Sequence, residues 1–189
     1  PTTMGEFAQV MVPVSFEAVP HGTEPPKGAI EIRTDRHVQV GPATIEALRL
    51  ASRLASGGRL LLVHATPDLT HLALYGGPEG SWFPVDAGKD IHTLTKHRSR
   101  VVLEALAKRY VHDVEVDYHV APGAPTSVIL AAADHHRPDA IVIAASGRGI
   151  IRRTVLGSTA NKIIRQATCP VVVLPGSMEY GRHTTEAAF

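Results

Sequence analysis

Along most of the chain, apolar runs of strand length alternate with segments whose apolar residues recur every three or four positions. Residues 60–65, 114–120, 140–145 and 170–174 are such runs and predict strands. Between them, Ile45, Leu48, Ala51, Leu54 and Ala55 share one face of a helix that Pro42 suits at its first turn and Gly57-Gly58 stops. A second helical pattern covers 91–110 through Val101, Val102 and Leu106, with Lys and Arg on its other side. A third follows Pro125 with Val128, Ile129 and the alanines 131–133, and Pro138 ends it at or before Arg137. A fourth starts near Ser158, a good N-cap type, and carries Ala160, Ile163, Ile164 and Ala167. Strands and helices alternating in this way predict an α/β protein with a parallel sheet.

The front of the chain is less regular and admits two readings. In one, residues 9–14 form a buried first strand, and Pro13, which has no N–H for a ladder, must lie near its end or beside an unpaired edge. Residues 30–33 and 37–40 then alternate with period two around Thr34-Asp35-Arg36, as an inserted hairpin after the Pro/Gly-rich loop 21–28. In the other, residues 29–34 are the first core strand and 1–28 an N-terminal extension. The hairpin is favoured, and both stay open. Residues 66–89 read as a long loop holding the only tryptophan, Trp82, and long loops in compact domains are often functional.

Composition narrows the class. With 189 residues, 44% apolar and 20% charged, the chain suits one folded domain and excludes disorder and fibrous repeats. No stretch reaches the ~18 apolar residues of a membrane span, and no basic start with an apolar run marks a signal peptide, so a cytoplasmic protein is expected. Nineteen basic residues against 18 acidic ones argue against a broad nucleic-acid-binding face. The lone Cys169 excludes an internal disulfide, and it reads as a small buried residue.

The segment with the most chemical content is 141–159. An apolar run emerges into Ser146-Gly147-Arg148-Gly149, a short loop crosses, and Gly157 leads through Ser158 and Thr159 into a helix start. Glycines let backbone approach an anion, free N–H groups at a helix start point at it, and the two hydroxyls add donors. Arg148, Arg152 and Arg153 lie in the same loop and can screen a polyphosphate. An ordinary glycine-rich strand-to-helix turn explains the composition equally well. The Walker A and GxGxxG patterns are absent, which disfavours a P-loop hydrolase or a dinucleotide enzyme.

Read backwards from Gly157-Ser158, nine residues precede the glycine, Gly147 stands before them, and Ala144 lies three further back. This spacing resembles the universal stress proteins, whose ATP-binding members carry Gly-x2-Gly-x9-Gly-(Ser/Thr), with Ala144 here in the place of the first glycine. Cys169 to Pro175 resembles the family's closing strand, Leu62-Val63-His64-Ala65 the end of its second, and Val10 to Phe16 its first. An aspartate normally follows the Pro-Val of that first strand; here Ser15 takes its place, whereas the other strand assignment supplies Asp35.

The resemblance implies an open five-stranded parallel sheet with helices on both faces, Rossmann-like, with an insertion at 20–41 in a single domain 1–176 and a tail at 177–189. It further implies an adenine nucleotide, ATP above all, in the crevice at the strand C-termini, and a homodimer through strand 170–174. Backbone amides around Ser146, Gly147 and Gly157, together with Arg148, Ser158 and Thr159, would hold phosphate beside Ala144. Pro13, Val14, Ser15 and Ala65 would wall the base. Turnover is expected to be slow or absent for want of an evident general base. The alternative is a dimeric module without nucleotide that meets a protein partner through the insertions at 20–41 and 66–89.

Other chemistry is weaker. Among eleven histidines, His92 and His97 are five apart and His135-His136 adjacent, so no metal is expected. No G-x-S-x-G marks a serine hydrolase. His64 at a strand end suits acid–base work, although such a histidine more often packs and hydrogen-bonds. Asp134 and Asp139 flank a loop far from the proposed crevice and are expected to be solvated.

Overall fold

Val10, Met11 and Val12 have no exposed surface, and a strand covered on both faces belongs inside a parallel sheet flanked by helices. The computed structural model describes residues 7–20, 22–33, 36–68, 85–145 and 156–175. In chain order these form β1 (Gln9–Pro13), β2 (Phe16–Ala18), β3 (Ile30–Arg33), β4 (Arg36–Val40), α1 (Pro42–Leu54), β5 (Arg59–Thr66), α2 (Val85–Tyr110), β6 (Glu115–Pro122), α3 (Pro125–His136), β7 (Ala140–Ala144), α4 (Ser158–Gln166) and β8 (Val171–Leu174). The main sheet has five strands in the order β6-β5-β1-β7-β8, all parallel.

Period-two alternation divides the strands between two cores. Val10, Val12, Leu60 and Leu62 face α1 and α2, where they meet Leu48, Leu103 and Leu106. Met11, Leu61, Val63, Ile141 and Ile143 face α3 and α4, where they meet Ile129, Ala132 and Ile163. The chain leaves β1 toward β5 on one side and later returns to β7 on the other, so its order reverses between β1 and β7.

Pro13 explains how those two strands part. The Val14 N–H donates to the Val63 carbonyl at 2.8 Å, so by alternation the Pro13 nitrogen faces β7. The β1–β7 ladder has ended by then, at Met11↔Ile141, while β1–β5 pairing runs on to Pro13↔Val63. The missing donor therefore costs no sheet bond. At the opposite end, the Asp139 amide donates to the Gln9 carbonyl at 2.9 Å and its carboxylate accepts the Gln9 amide at 2.8 Å, so Asp139 pins β1 rather than serving only as a solvated loop residue.

The second sheet is antiparallel, in the order β2-β4-β3. The hairpin assignment holds, because Ile30–Arg33 pairs with β4 and has no place in the parallel sheet. The alternative first strand at 29–34 falls, and with it the restored aspartate; Asp35 itself lies outside the described residues. The inserted sheet is larger than a hairpin and starts at Phe16, ahead of the expected boundary at residue 20. Its inner residues Ile30, Val38 and Val40 are buried in the core on the α1–α2 side.

Two helix starts also differ from expectation. α2 begins at Val85, six residues earlier than its apolar periodicity indicates. The N-cap of α4 is Gly157 rather than Ser158, which opens the helix proper. Trp82 and the tail 177–189 lie outside the described residues. Among the described residues, no helix is long and apolar enough to cross a membrane.

Candidate functional site

Where strand order reverses in an open parallel sheet, the strand C-termini diverge and leave a crevice. Here the parting of β1 from β7 opens a cavity of about 320 Å³. Pro13, Val14 and Ser15 line it from the end of β1, Ala65 from β5, Ala144 from β7, and Gly157, Ser158 and Thr159 from the start of α4. These are all the sequence-nominated residues that the structure describes; Ser146, Gly147 and Arg148 lie outside the described residues. Thr44 and His64 also line the cavity, and Thr44, buried at the start of α1, was not foreseen.

The α4 end of the crevice is shaped by two backbone bonds. The Gly157 N–H donates to the Ala145 carbonyl at 2.7 Å, which ties the helix start to the end of β7. The Gly157 carbonyl accepts the Asn161 N–H at 2.9 Å and begins the helical ladder. The first-turn amides that follow have no intrahelical acceptor, and no side chain caps the helix. Such an end favours an anion.

His64 is the single titratable side chain among the described residues of the crevice wall. Its Nδ1 lies 2.8 Å from the Val14 carbonyl oxygen. A carbonyl only accepts, so Nδ1 carries the proton, and in the neutral ring Nε2 is left as an acceptor. Burial lowers the His64 pKa from its ordinary value, partly opposed by the hydrogen bond to Val14. The ring also stacks on Phe16 from the inserted sheet, with centroids 4.2 Å apart and planes 16° from parallel. His64 thus both packs and hydrogen-bonds, and nothing in its sequence neighbourhood announces Phe16 as its partner.

Elsewhere, burial pushes the Cys169 thiol pKa up, the direction of an unreactive thiol. His136 Nε2 lies 3.4 Å from His119 Nδ1, away from the crevice. Among the described residues, no group of three or more side chains is arranged to hold a metal ion.

The model of the universal stress protein family matches residues 34–175. The chain belongs to that family. A universal stress protein of Thermus aquaticus is 31% identical over 131 residues, covering 68% of this chain and 85% of the relative. Another, from Methanocaldococcus jannaschii, is 30% identical over 97 residues, 51% of this chain, and the match spans about half, 54%, of that relative's length. Among solved structures, universal stress protein UspA from Lactobacillus plantarum aligns over 88% of this chain and 97% of its own with a TM-score of 0.54 at 19% identity. The hypothetical protein MJ0577 aligns over 88% and 94% with a TM-score of 0.60 at 14% identity. At these identities the structural likeness is one of fold. In this universal stress protein the matched stretch begins beyond β1, so the strand that carries Pro13 to the crevice comes from outside it.

Proposed function

We propose that this universal stress protein binds an adenine nucleotide, ATP foremost, in the β1–β7 crevice and acts in stress adaptation as a regulatory binder rather than a rapid catalyst. The observation that carries this is the convergence of Pro13, Val14, Ser15, Ala65, Ala144 and the uncapped α4 start at Gly157 on one cavity. Phosphate would take the amides and hydroxyls of Ser158 and Thr159, and the base would lie against Pro13, Val14 and Ala65. Ser146, Gly147 and Arg148 belong to the same proposed phosphate loop. Hydrolysis would be slow, because no carboxylate lines the crevice among the described residues.

Gly157 has φ −59 and ψ 151, which any residue adopts. Gly157→Val therefore probes space for a ligand rather than backbone strain. The test is a thermal shift with ATP, ADP, AMP and cyclic AMP, alongside mass spectrometry of small molecules released on unfolding. A concentration-dependent rise in Tm that Gly157→Val abolishes supports the proposal, since a ligand of the native state must stabilise it. No retained nucleotide and no shift at millimolar ligand would refute it.

Two observations favour a second reading, a dimeric regulatory module without nucleotide. Ala144 and Ser15 stand where the family pattern has glycine and aspartate. β8 ends the sheet order, and its Val172 is 36% exposed, a surface that a second copy would cover by extending the sheet.

A further inference from the structure

The inserted sheet and α2 enclose another cavity, about 580 Å³ against about 320 Å³ for the crevice. Its walls are apolar: Phe16, Ile32 and Val38 on the sheet side, Leu94, Val101 and Val102 on the helix. Leu94 remains 48% exposed, so the groove floor is open to solvent. Among the described residues its charged lining is of one sign. Arg36 and Arg98 line it as cations beside His37 and His97, and no carboxylate lines the groove among the described residues. Neither arginine has an ion-pair partner among the described residues.

We infer that this groove binds a small amphipathic anion, a long-chain carboxylate of the fatty-acid class, with its alkyl body between α2 and the inserted sheet and its carboxylate on Arg36 and Arg98. Ligand cavities are mostly apolar, hundreds of Å³ in volume, with a few polar groups that fix orientation. An alkyl chain removes Leu94 and its neighbours from water, which is the larger favourable term. A planar guanidinium matches a carboxylate with two parallel hydrogen bonds, and Arg36 and Arg98 have no ion-pair partner among the described residues to give up. A nucleotide polyphosphate fits poorly here, because it would bring several charges against apolar walls for two cations. The groove and the crevice share no lining residue, although Phe16 of one stacks on His64 of the other, and the groove's ligand does not rest on the nucleotide proposal.

The full chain is titrated with cis-parinaric acid, whose fluorescence rises in an apolar site, and the probe is then displaced with palmitate or methyl palmitate. Saturable binding at one site is expected. Palmitate should displace the probe and methyl palmitate should do so about tenfold less well or worse, because the ester removes the charge that the arginines meet. The Arg36→Ala/Arg98→Ala double variant should weaken palmitate by about tenfold or more, and Leu94→Glu should abolish it, both with Tm near that of the parent protein since these side chains are exposed. Gly157→Val should leave the palmitate titration unchanged, which keeps a failure here distinct from a failure at the crevice. Absence of saturable binding, equal affinity for acid and ester, or an unchanged double variant overturns the inference. So does a dimer that Leu94→Glu converts to monomer while palmitate fails to bind, because the groove would then be an interface between copies.

Discussion

Replacing His64 by Gln should flatten the acid side of the stability profile. Burial lowers the His64 pKa in the folded chain, and the weaker opposing influence is its bond to the Val14 carbonyl. Between the folded value and the unfolded value of about 6.5, the unfolded chain binds more protons, so stability rises with pH through that window. The contribution is fully present above the unfolded pKa and is lost as pH falls below it toward the folded pKa. One group limits the slope to about 1.4 kcal/mol per pH unit, which for a chain of this size is roughly 3–6 °C in Tm. The His119 pKa is lowered too, by burial first and then by His136, Lys96 and His135. It is the more exposed of the two, so solvent screening reduces its share. Thermal melts of the parent, His64→Gln and His119→Gln between about pH 5 and 7.5 separate them. Gln carries its amide nitrogen where Nε2 stood rather than Nδ1 and also loses the stacking on Phe16, so an offset at every pH is expected and only the slope decides. A parent slope retained in full by His64→Gln would refute the reasoning.

Three further outcomes are expected. A Cβ at Gly58 would lie 2.5 Å from the Ala8 carbonyl oxygen and 3.0 Å from that of Phe7, so Gly58→Ala should cost about 1–3 kcal/mol in chemical denaturation, and a loss under about 0.5 kcal/mol would contradict the close approach. If β8 is the dimer edge, Val172→Lys should halve the mass measured by light scattering, and an unchanged dimer would exclude that edge. Asp35→Ala should leave ATP affinity unchanged in the thermal-shift titration, because Ile30–Arg33 pairs in the inserted sheet; a marked loss would bring Asp35 back to the crevice.

The buried strands were legible because they are continuous apolar runs, and β3 and β4 because their alternation has period two. β2 was not: it has three residues, of which Glu17 and Ala18 are exposed, too few for any period to show. The first turns of α2, Val85 to Asp90, carry little apolar periodicity, so the helix start was placed late. At the crevice, glycine spacing and strand ends brought out the backbone elements. The stack of Phe16 on His64 was invisible, because it depends on how a short strand of one sheet meets the end of a long strand in another. Ser158 has the chemistry of a cap, yet Gly157 takes the position, because its carbonyl accepts the first helical bond from Asn161 while its own ψ of 151 is extended.

The order of synthesis and the order of the sheet are at odds in this chain. β1 is made first but lies between β5 and β7, so its two ladders close only after residues 59–63 and then 140–141 have emerged. Contacts of such sequence separation slow folding through loop-closure entropy, and until they form β1 presents two unpaired apolar edges. The same placement decides where the protein can be shortened. A fragment trimmed to the family-matched residues 34–175 would keep four strands of the parallel sheet and lose the one between β5 and β7. What remained would be two pairs of strands with no joint, and no crevice between them.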